Sequence, residues 1–438
     1  MGTTDTAQNG PPTSRSARLK QVGPGLLAAA TGVGAGDLVA TMVAGARFGT
    51  VLLWAAVLGT ILKLALAEGV GRWHLASGST LLDGWRRLGY WATAFFGIYI
   101  VIWGLAYGAT AMSAVGLPLN ALFGGLTVRY WAMIAGVVGL GLVWAQRYAA
   151  FEKLMVVLTG VMFVSVLTTA VLVSPDLGVL AGGLVPRLPA GSTIYVLGLI
   201  GGVGGTITLG AYGYWMLGKG WRGTGWLSTM RLDNTVGYVL TAVFVIALLV
   251  VGAEILLGQN ITADDSGLLT LGTELGERYG EWSRIVFLIG FLAVSATSLL
   301  GVWNGVSLLF ADWTRIIRLP HGTGAETDAM AGTIAGASHP GYQGRIAERS
   351  PAFRGYLIWL TIPPMALLFL DRPFAVTLVY GVLGAAFMPF LGGTLLLLLN
   401  STRIDRRGRS GWLSNVLLTA AATLFLVLLA TDLIERFG

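Results

Sequence analysis

The sequence predicts an all-α polytopic membrane protein, on three observations. Hydrophobic residues make up 55% of the 438 positions and charged residues only 11%. A soluble domain needs about 25% charged residues to cover its surface, so this chain cannot be solvated that way. Apolar stretches near the 20 residues needed for a helical span recur along the whole length. The 64 glycines, about twice the usual share of roughly 7%, are not spread evenly but collect inside two of those stretches.

Eleven spans follow in order, at about 24–44, 51–73, 91–123, 130–146, 153–174, 194–217, 234–257, 284–310, 354–371, 374–399 and 412–434. Residues 1–22 are polar and read as a disordered cytoplasmic tail, and no cleavable signal peptide is evident. Residues 23–438 then form a single transmembrane domain. With the N-terminus inside, twenty of the 28 basic residues fall on the cytoplasmic side. Seven fall outside and Lys63 lies within the membrane. An odd number of spans puts the C-terminus outside the cytoplasm, in a multi-pass protein of the cell membrane. Loop 319–352, with His321 and His339, becomes a cytoplasmic linker, not a metal-binding tract. The net charge of +7 reports orientation, not a nucleic-acid partner. No cysteine is present, which excludes disulfides, thiol nucleophiles and zinc-thiolate sites. No cofactor motif, phosphate-binding loop or nucleophile–base constellation stands out, so the chain reads as a non-enzyme, monomeric in function.

The first and sixth spans are broken by glycine, at Thr31-Gly32-Val33-Gly34-Ala35-Gly36-Asp37 and at Gly201-Gly202-Val203-Gly204-Gly205-Thr206-Ile207-Thr208-Leu209-Gly210. Unwound backbone at membrane depth requires burial in protein or a polar cavity. The two breaks hold equivalent places in two consecutive five-helix halves, which points to a transporter's central site. Close helix packing through small residues is the alternative, and it suffices for Gly45, Gly301 and Gly305.

Several segments resemble the Nramp divalent-metal transporters: Gly23-Pro24-Gly25, Ala44-Gly45-Ala46-Arg47-Phe48-Gly49, Leu119-Asn120-Ala121-Leu122-Phe123-Gly124, Gly301 with Gly305, and Pro389-Phe390. The resemblance covers nearly all eleven spans in order. It implies the LeuT-type fold of five plus five inverted helices with an eleventh added, helices one and six discontinuous, and an inorganic cation as cargo. The functional positions depart from the family pattern. The Asp-Pro-Gly-Asn motif falls on Gly34-Ala35-Gly36-Asp37, which moves the carboxylate by three residues. The metal-binding methionine falls on Thr208, the carbonyl-donating alanine on Gly205 and the following histidine on Gly210. The acids linked to proton transfer fall on Gly108 and Ala111, and a helix-ten glutamine falls on Gly381. Loss of a thioether favours hard, oxygen-seeking ions, and magnesium keeps its waters where few protein ligands are offered. The expected ion site is Asp37 with Thr208, Thr206 and the Gly34 and Gly205 carbonyls. The pattern is similar to the Nramp-related magnesium transporters, a branch that also lacks the methionine and the relay acids. That branch usually keeps the helix-one aspartate, which is absent here.

Lys63 lies about ten residues from its helix end, roughly 15 Å deep, too far to snorkel. It should face a cavity or a carboxylate such as Asp37. There it would be a structural ion pair, a tuning group for Asp37, or a built-in cation replacing a coupling ion. Glu68 and Arg72 form a favourable i,i+4 pair, structural or gating. Asp233 and Asp312 read as interfacial charges, with gating a lesser role for Asp233. Ser295, Thr297, Ser298 and Asn304 form a polar stripe on helix eight, structural or lining a pathway. Tyr212, Tyr214 and Trp215 follow the sixth-span break as a gate or as packing. A carrier of a small organic solute such as an amino acid, and a sensor on a transporter scaffold, remain the competing functional classes.

Overall fold

A computed structural model describes residues 10–145, 148–202, 204–258, 265–318, 350–370, 373–402, 404 and 406–437, and every regular element among them is helical. In chain order the helices are α1 (Arg15–Leu19), α2 (Pro24–Gly32), α3 (Ala35–Phe48), α4 (Leu53–Ser77), α5 (Leu81–Leu88), α6 (Tyr90–Phe123), α7 (Val128–Ala145) and α8 (Tyr148–Leu172). There follow α9 (Leu177–Gly183), α10 (Thr193–Gly202), α11 (Tyr212–Gly218), α12 (Leu227–Leu256), α13 (Asp265–Tyr279), α14 (Glu281–Arg318), α15 (Pro351–Leu367), α16 (Pro373–Leu399) and α17 (Trp412–Phe437).

Nine of the eleven expected spans are single helices, with ends within a turn or two of the predicted ones. The first and sixth are broken where the glycines cluster. α2 stops at Gly32, Val33 is extended (φ −98°, ψ 100°), and α3 resumes at Ala35. α10 stops at Gly202, and a 3-10 turn at Ile207–Ala211 leads into α11. Six stretches among the described residues are long and apolar enough to cross a membrane: Leu38–Ser77, Tyr90–Phe123, Val128–Ala145, Ala149–Leu172, Thr224–Leu256 and Glu281–Arg318.

The connections hold structure that the apolar pattern did not announce. Arg15–Leu19 is helical within the expected tail, its first turn capped by the Ser14 hydroxyl. α5, α9 and α13 are helices in segments read as connections, because α5 and α9 are too short, and α13 too polar, to register as spans. α4 ends where Gly78, at φ +65°, turns its N–H back to the His74 carbonyl. A reciprocal Thr80–Asp83 capping box then starts α5. Of loop 319–352, residues 319–349 lie outside the described residues, and Ser350 caps α15.

Burial separates the bundle into centre and rim. The apolar windows of α6 and α14 are 78% and 72% buried, that of α7 only 28%, so α7 presents most of its surface to lipid. α2, α3 and α4 pack on α12, while α2 also packs on α14 and α8. Lipid is as apolar as leucine, so burial alone does not hold helices together in a bilayer. Cross-helix hydrogen bonds from tryptophan supply part of the adhesion: Trp85 Nε1 to Thr394 Oγ1 (2.9 Å), Trp303 Nε1 to Thr361 Oγ1 (2.9 Å) and Trp313 Nε1 to the Thr93 carbonyl (2.9 Å). Close backbone approach supplies the rest. At Gly108 of α6 a Cβ would meet the Leu360 carbonyl and sit 2.5 Å from Pro364 Cγ of α15.

That contact is with backbone and a ring, neither of which yields cheaply. Gly108→Ala is expected to destabilise the fold by about 1–3 kcal/mol. Gly141→Ala on α7, where a Cβ meets nothing within 4 Å, should be neutral or stabilising by up to about 1 kcal/mol. Thermal unfolding of the two purified variants in detergent tests the pair, and equal shifts would refute the α6–α15 contact.

Candidate functional site at the two helix breaks

The two breaks touch. A Cβ on Gly32 would collide with the Gly204 carbonyl carbon and lie 2.5 Å from the Gly205 nitrogen, so the end of α2 rests on the backbone after α10. Gly204 and Gly205 lie at φ +79° and +86°, a left-handed region that side chains rarely adopt. The residues around them supply the hydrogen bonds that regular helix would have made. Tyr238 Oη donates to the Gly204 carbonyl (3.1 Å), and Lys63 Nζ donates to the Gly205 carbonyl. On the other strand of the break, Ser298 Oγ donates to the Thr31 carbonyl (3.2 Å) and Thr297 Oγ1 to the Ala30 carbonyl (3.5 Å). Tyr107 of α6 extends this set through a 2.7 Å bond to Ser298 Oγ.

The expected site residues divide accordingly. Gly205 and Thr208 come together with Gly32: a Cβ on Gly205 would lie 2.5 Å from Thr208 Oγ1 and 2.9 Å from the Gly32 Cα. Thr206 turns its methyl towards Gly384 of α16, away from Thr208. The Gly34 carbonyl accepts the Leu38 N–H (3.1 Å) and so starts α3. Asp37 lies in the first turn of α3, and its side chain lies outside the described residues, as do those of Ala35 and Gly36. Two buried hydroxyls at the centre lack a partner among the described residues, Thr31 Oγ1 and Ser295 Oγ. Ser295 belongs to the predicted stripe. Thr31 is not among the expected ligands, although a hydroxyl placed directly before a glycine break is a signal that a sequence carries.

Asn304 accepts from Trp215 Nε1 (2.9 Å), which joins α14 to α11. Among the described residues no group of three or more His, Cys, Asp and Glu side chains comes together.

Asp233 and Asp312 differ most from expectation. Read as interfacial charges, both are fully buried. Asp233 accepts from the Gly23 N–H (2.8 Å), the Gly25 N–H (2.6 Å) and Tyr212 Oη (2.9 Å). One α12 carboxylate therefore satisfies the first turn of α2, whose orphan donors and positive dipole end favour an anion, and binds α11 to the same point. Lys219, just past α11, pairs with Glu152 of α8 (2.6 Å) and donates to the Val22 carbonyl (3.4 Å). Asp312 accepts from Tyr214 Oη (2.5 Å) and pairs with Arg315, which also reaches Asp83 (2.8 Å). Glu68 makes the predicted pair with Arg72 and adds Arg231 of α12 (3.1 Å). At this end of the bundle α2 and α11, the half-helices beside the breaks, are latched to α12, α14 and α8.

Removing the latch has a measurable consequence. Hydrogen bonds to a charged group contribute about 1.5–3 kcal/mol each, so Asp233→Ala should free α2. The native chain has no cysteine, so a probe placed by Ala29→Cys, buried on α2, reports opening directly. Maleimide labelling should rise about tenfold or more in the Asp233→Ala background, equivalent to 1.4 kcal/mol. Unchanged labelling would rule the latch out.

Comparison with known proteins agrees with this architecture. Residues 25–435 match the family described as Natural resistance-associated macrophage protein-like, Nramp. The divalent metal cation transporter MntH of Deinococcus radiodurans is 27% identical over 190 residues, 42% of this chain and 43% of the relative, so the match spans less than half of either protein. Among solved structures, a manganese transporter of Eremococcus coleocola superposes with a TM-score of 0.74 at 16% identity, over 100% of this chain and 92% of that one. The same transporter in complex with an aromatic bis-isothiourea compound gives 0.71 at 17% identity over the same shares. Mhp1, a nucleobase-cation-symport-1 family transporter, gives 0.52 at 13% identity over 94% of this chain and 93% of its own. These likenesses identify the LeuT-like fold. With the family match running over nearly its whole length, the chain belongs to the Nramp family of integral membrane transporters, and it is not an enzyme.

Proposed function

We propose that the protein carries a divalent metal cation across the cell membrane by alternating access, through an oxygen-lined site suited to a hard ion such as magnesium and without proton coupling. The observation that carries this reading is the contact of the two broken helices. α2 and α10 both end at the break, and each C-terminus brings the negative end of its dipole and its carbonyl groups to the centre. Asp37, in the first turn of α3, offsets that half-helix's positive end and is the principal charged ligand. Thr208, Thr31 and Ser295 add hydroxyls, and water completes the shell, as magnesium favours.

The relatives named as divalent metal and manganese transporters support a metal cargo. The residue types here favour the harder member of that class, because Thr208 stands where the family carries a thioether. The proton reading rests on α6, where the positions of the family's relay acids are Gly108 and Ala111. Gly108 is packed against the Leu360 carbonyl and Pro364, which leaves no room there for a carboxylate. The charge asymmetry along the sequence orients the Asp233 latch towards the cytoplasm, with the N-terminus on that side and the C-terminus outside.

Purified protein in liposomes provides the test, with magnesium and manganese uptake and internal pH recorded together. Magnesium should enter at least as fast as manganese without acidification, and Asp37→Ala should cut uptake about tenfold or more, a loss of at least 1.36 kcal/mol of barrier lowering. Thr208→Met, which adds a soft ligand beside Gly205, should turn the preference towards manganese. Manganese entry accompanied by protons in the unaltered protein would overturn both the hard-ion and the uncoupled readings.

A further inference from the structure

Lys63 is the one charged side chain among the described residues that is fully buried halfway along a spanning helix, the eleventh of 25 residues in α4. Its stem runs along the helix break: a Cβ on Gly204 would lie 3.6 Å from Lys63 Cβ. Its ammonium donates to the Gly205 carbonyl and stands 5.2 Å from the centre of the Phe425 ring on α17. Phe425 is itself buried and packs against Gly201, the penultimate residue of α10. The ammonium therefore meets a carbonyl just beyond the C-terminal end of a half-helix and the negative face of an aromatic ring. These are the groups that receive a small cation in a membrane interior. At the next residue of α4, the Leu64 carbonyl accepts from Asn234 of α12 (3.1 Å), whose Oδ1 is buried without a partner among the described residues.

We propose that Lys63 is a tethered co-cation: its ammonium fills, from within the chain, a site that a monovalent alkali ion would fill, so the transporter needs no soluble co-ion to hold the helix-six break together. This rests on the cation-transport reading above. The ammonium at the break belongs to α4, so α4 and the α10 end stay together whether or not cargo is bound. Truncating the side chain to alanine leaves the Gly205 carbonyl without this donor and opens a space of three methylenes and an ammonium. A small alkali ion with its water is the simplest species that restores both the charge and the missing partner.

The experiment compares the unaltered full-length protein with Lys63→Ala, Lys63→Met and Lys63→Arg in detergent and in liposomes. Sodium, potassium or lithium chloride is exchanged for choline chloride at constant ionic strength. The unaltered protein and Lys63→Arg should show the same melting temperature and divalent uptake in every salt. Lys63→Ala should melt lower in choline and recover in at least one alkali salt, with uptake rising about fivefold or more, the lower range of coupling between two ligands. Lys63→Met, which fills the space with no charge, should be impaired and should not recover. An unaltered protein that itself depends on an alkali ion, a Lys63→Ala variant indifferent to salt, or one impaired in every salt would each overturn the proposal. Melting is read without cargo, so absence of divalent transport would sink the functional reading while leaving Lys63 still decided by the salt series.

Discussion

A peptide group in hydrocarbon must have its hydrogen bond, and two helices here stop making their own halfway through the bundle. Everything at the centre of this protein is arranged around that requirement. Gly32 rests against Gly204 and Gly205 with no side chain between them. The released carbonyls are then met one by one, by Ser298 and Thr297 from α14, Tyr238 from α12 and Lys63 from α4. The three helices that supply these donors are among the long, well-buried ones, because only a helix enclosed by protein can present a polar side chain at membrane depth. The glycines make the breaks possible, but it is the donors that make them affordable.

Charge is scarce in the chain, and its buried members are concentrated at two levels. Asp233, Asp312, Glu68 and their basic partners form a layer at one end, tying α2 and α11 to helices that are not broken. Lys63, at the break itself, is the charged side chain buried in the described middle of a span. The two levels act on different half-helices, the end layer on α2 and α11 and Lys63 on the backbone just past α10. The end layer meets the first turn of α2 and the first turn of α11, at Tyr212 and Tyr214. Lys63 meets the Gly205 carbonyl just past the end of α10.

Much of this was legible beforehand. The eleven spans follow from apolar length, both breaks from glycine density and the Glu68–Arg72 pair from its i,i+4 spacing, while the pairing of Gly205 with Thr208 comes from the family resemblance. Less legible were contacts across long separations. Asp233 is one polar residue near a helix start, and nothing around it in the chain announces Gly23 and Gly25, over 200 positions earlier. Asn304 read as part of a polar stripe, structural or lining a pathway; its oxygen is taken by Trp215, a partner that no periodicity on either helix reveals. Thr206 and Thr208 differ by two residues and look equivalent, but the 3-10 turn between the half-helices sends one towards α16 and the other towards Gly205.

By itself the sequence determined the solvent, the number of spans and where two of them break, because hydrophobicity, length and glycine content act locally and leave the chain few alternatives in a bilayer. Only the tertiary structure decided which groups close the breaks. A freed carbonyl accepts equally from a hydroxyl, a phenol or an ammonium, and the choice among Ser298, Tyr238 and Lys63 depends on which helices pack within a few ångströms. The same holds for Lys63. Its depth is a property of the sequence, whereas its placement on the Gly205 carbonyl, beneath the Phe425 ring, comes from the packing of α4 against α10 and α17.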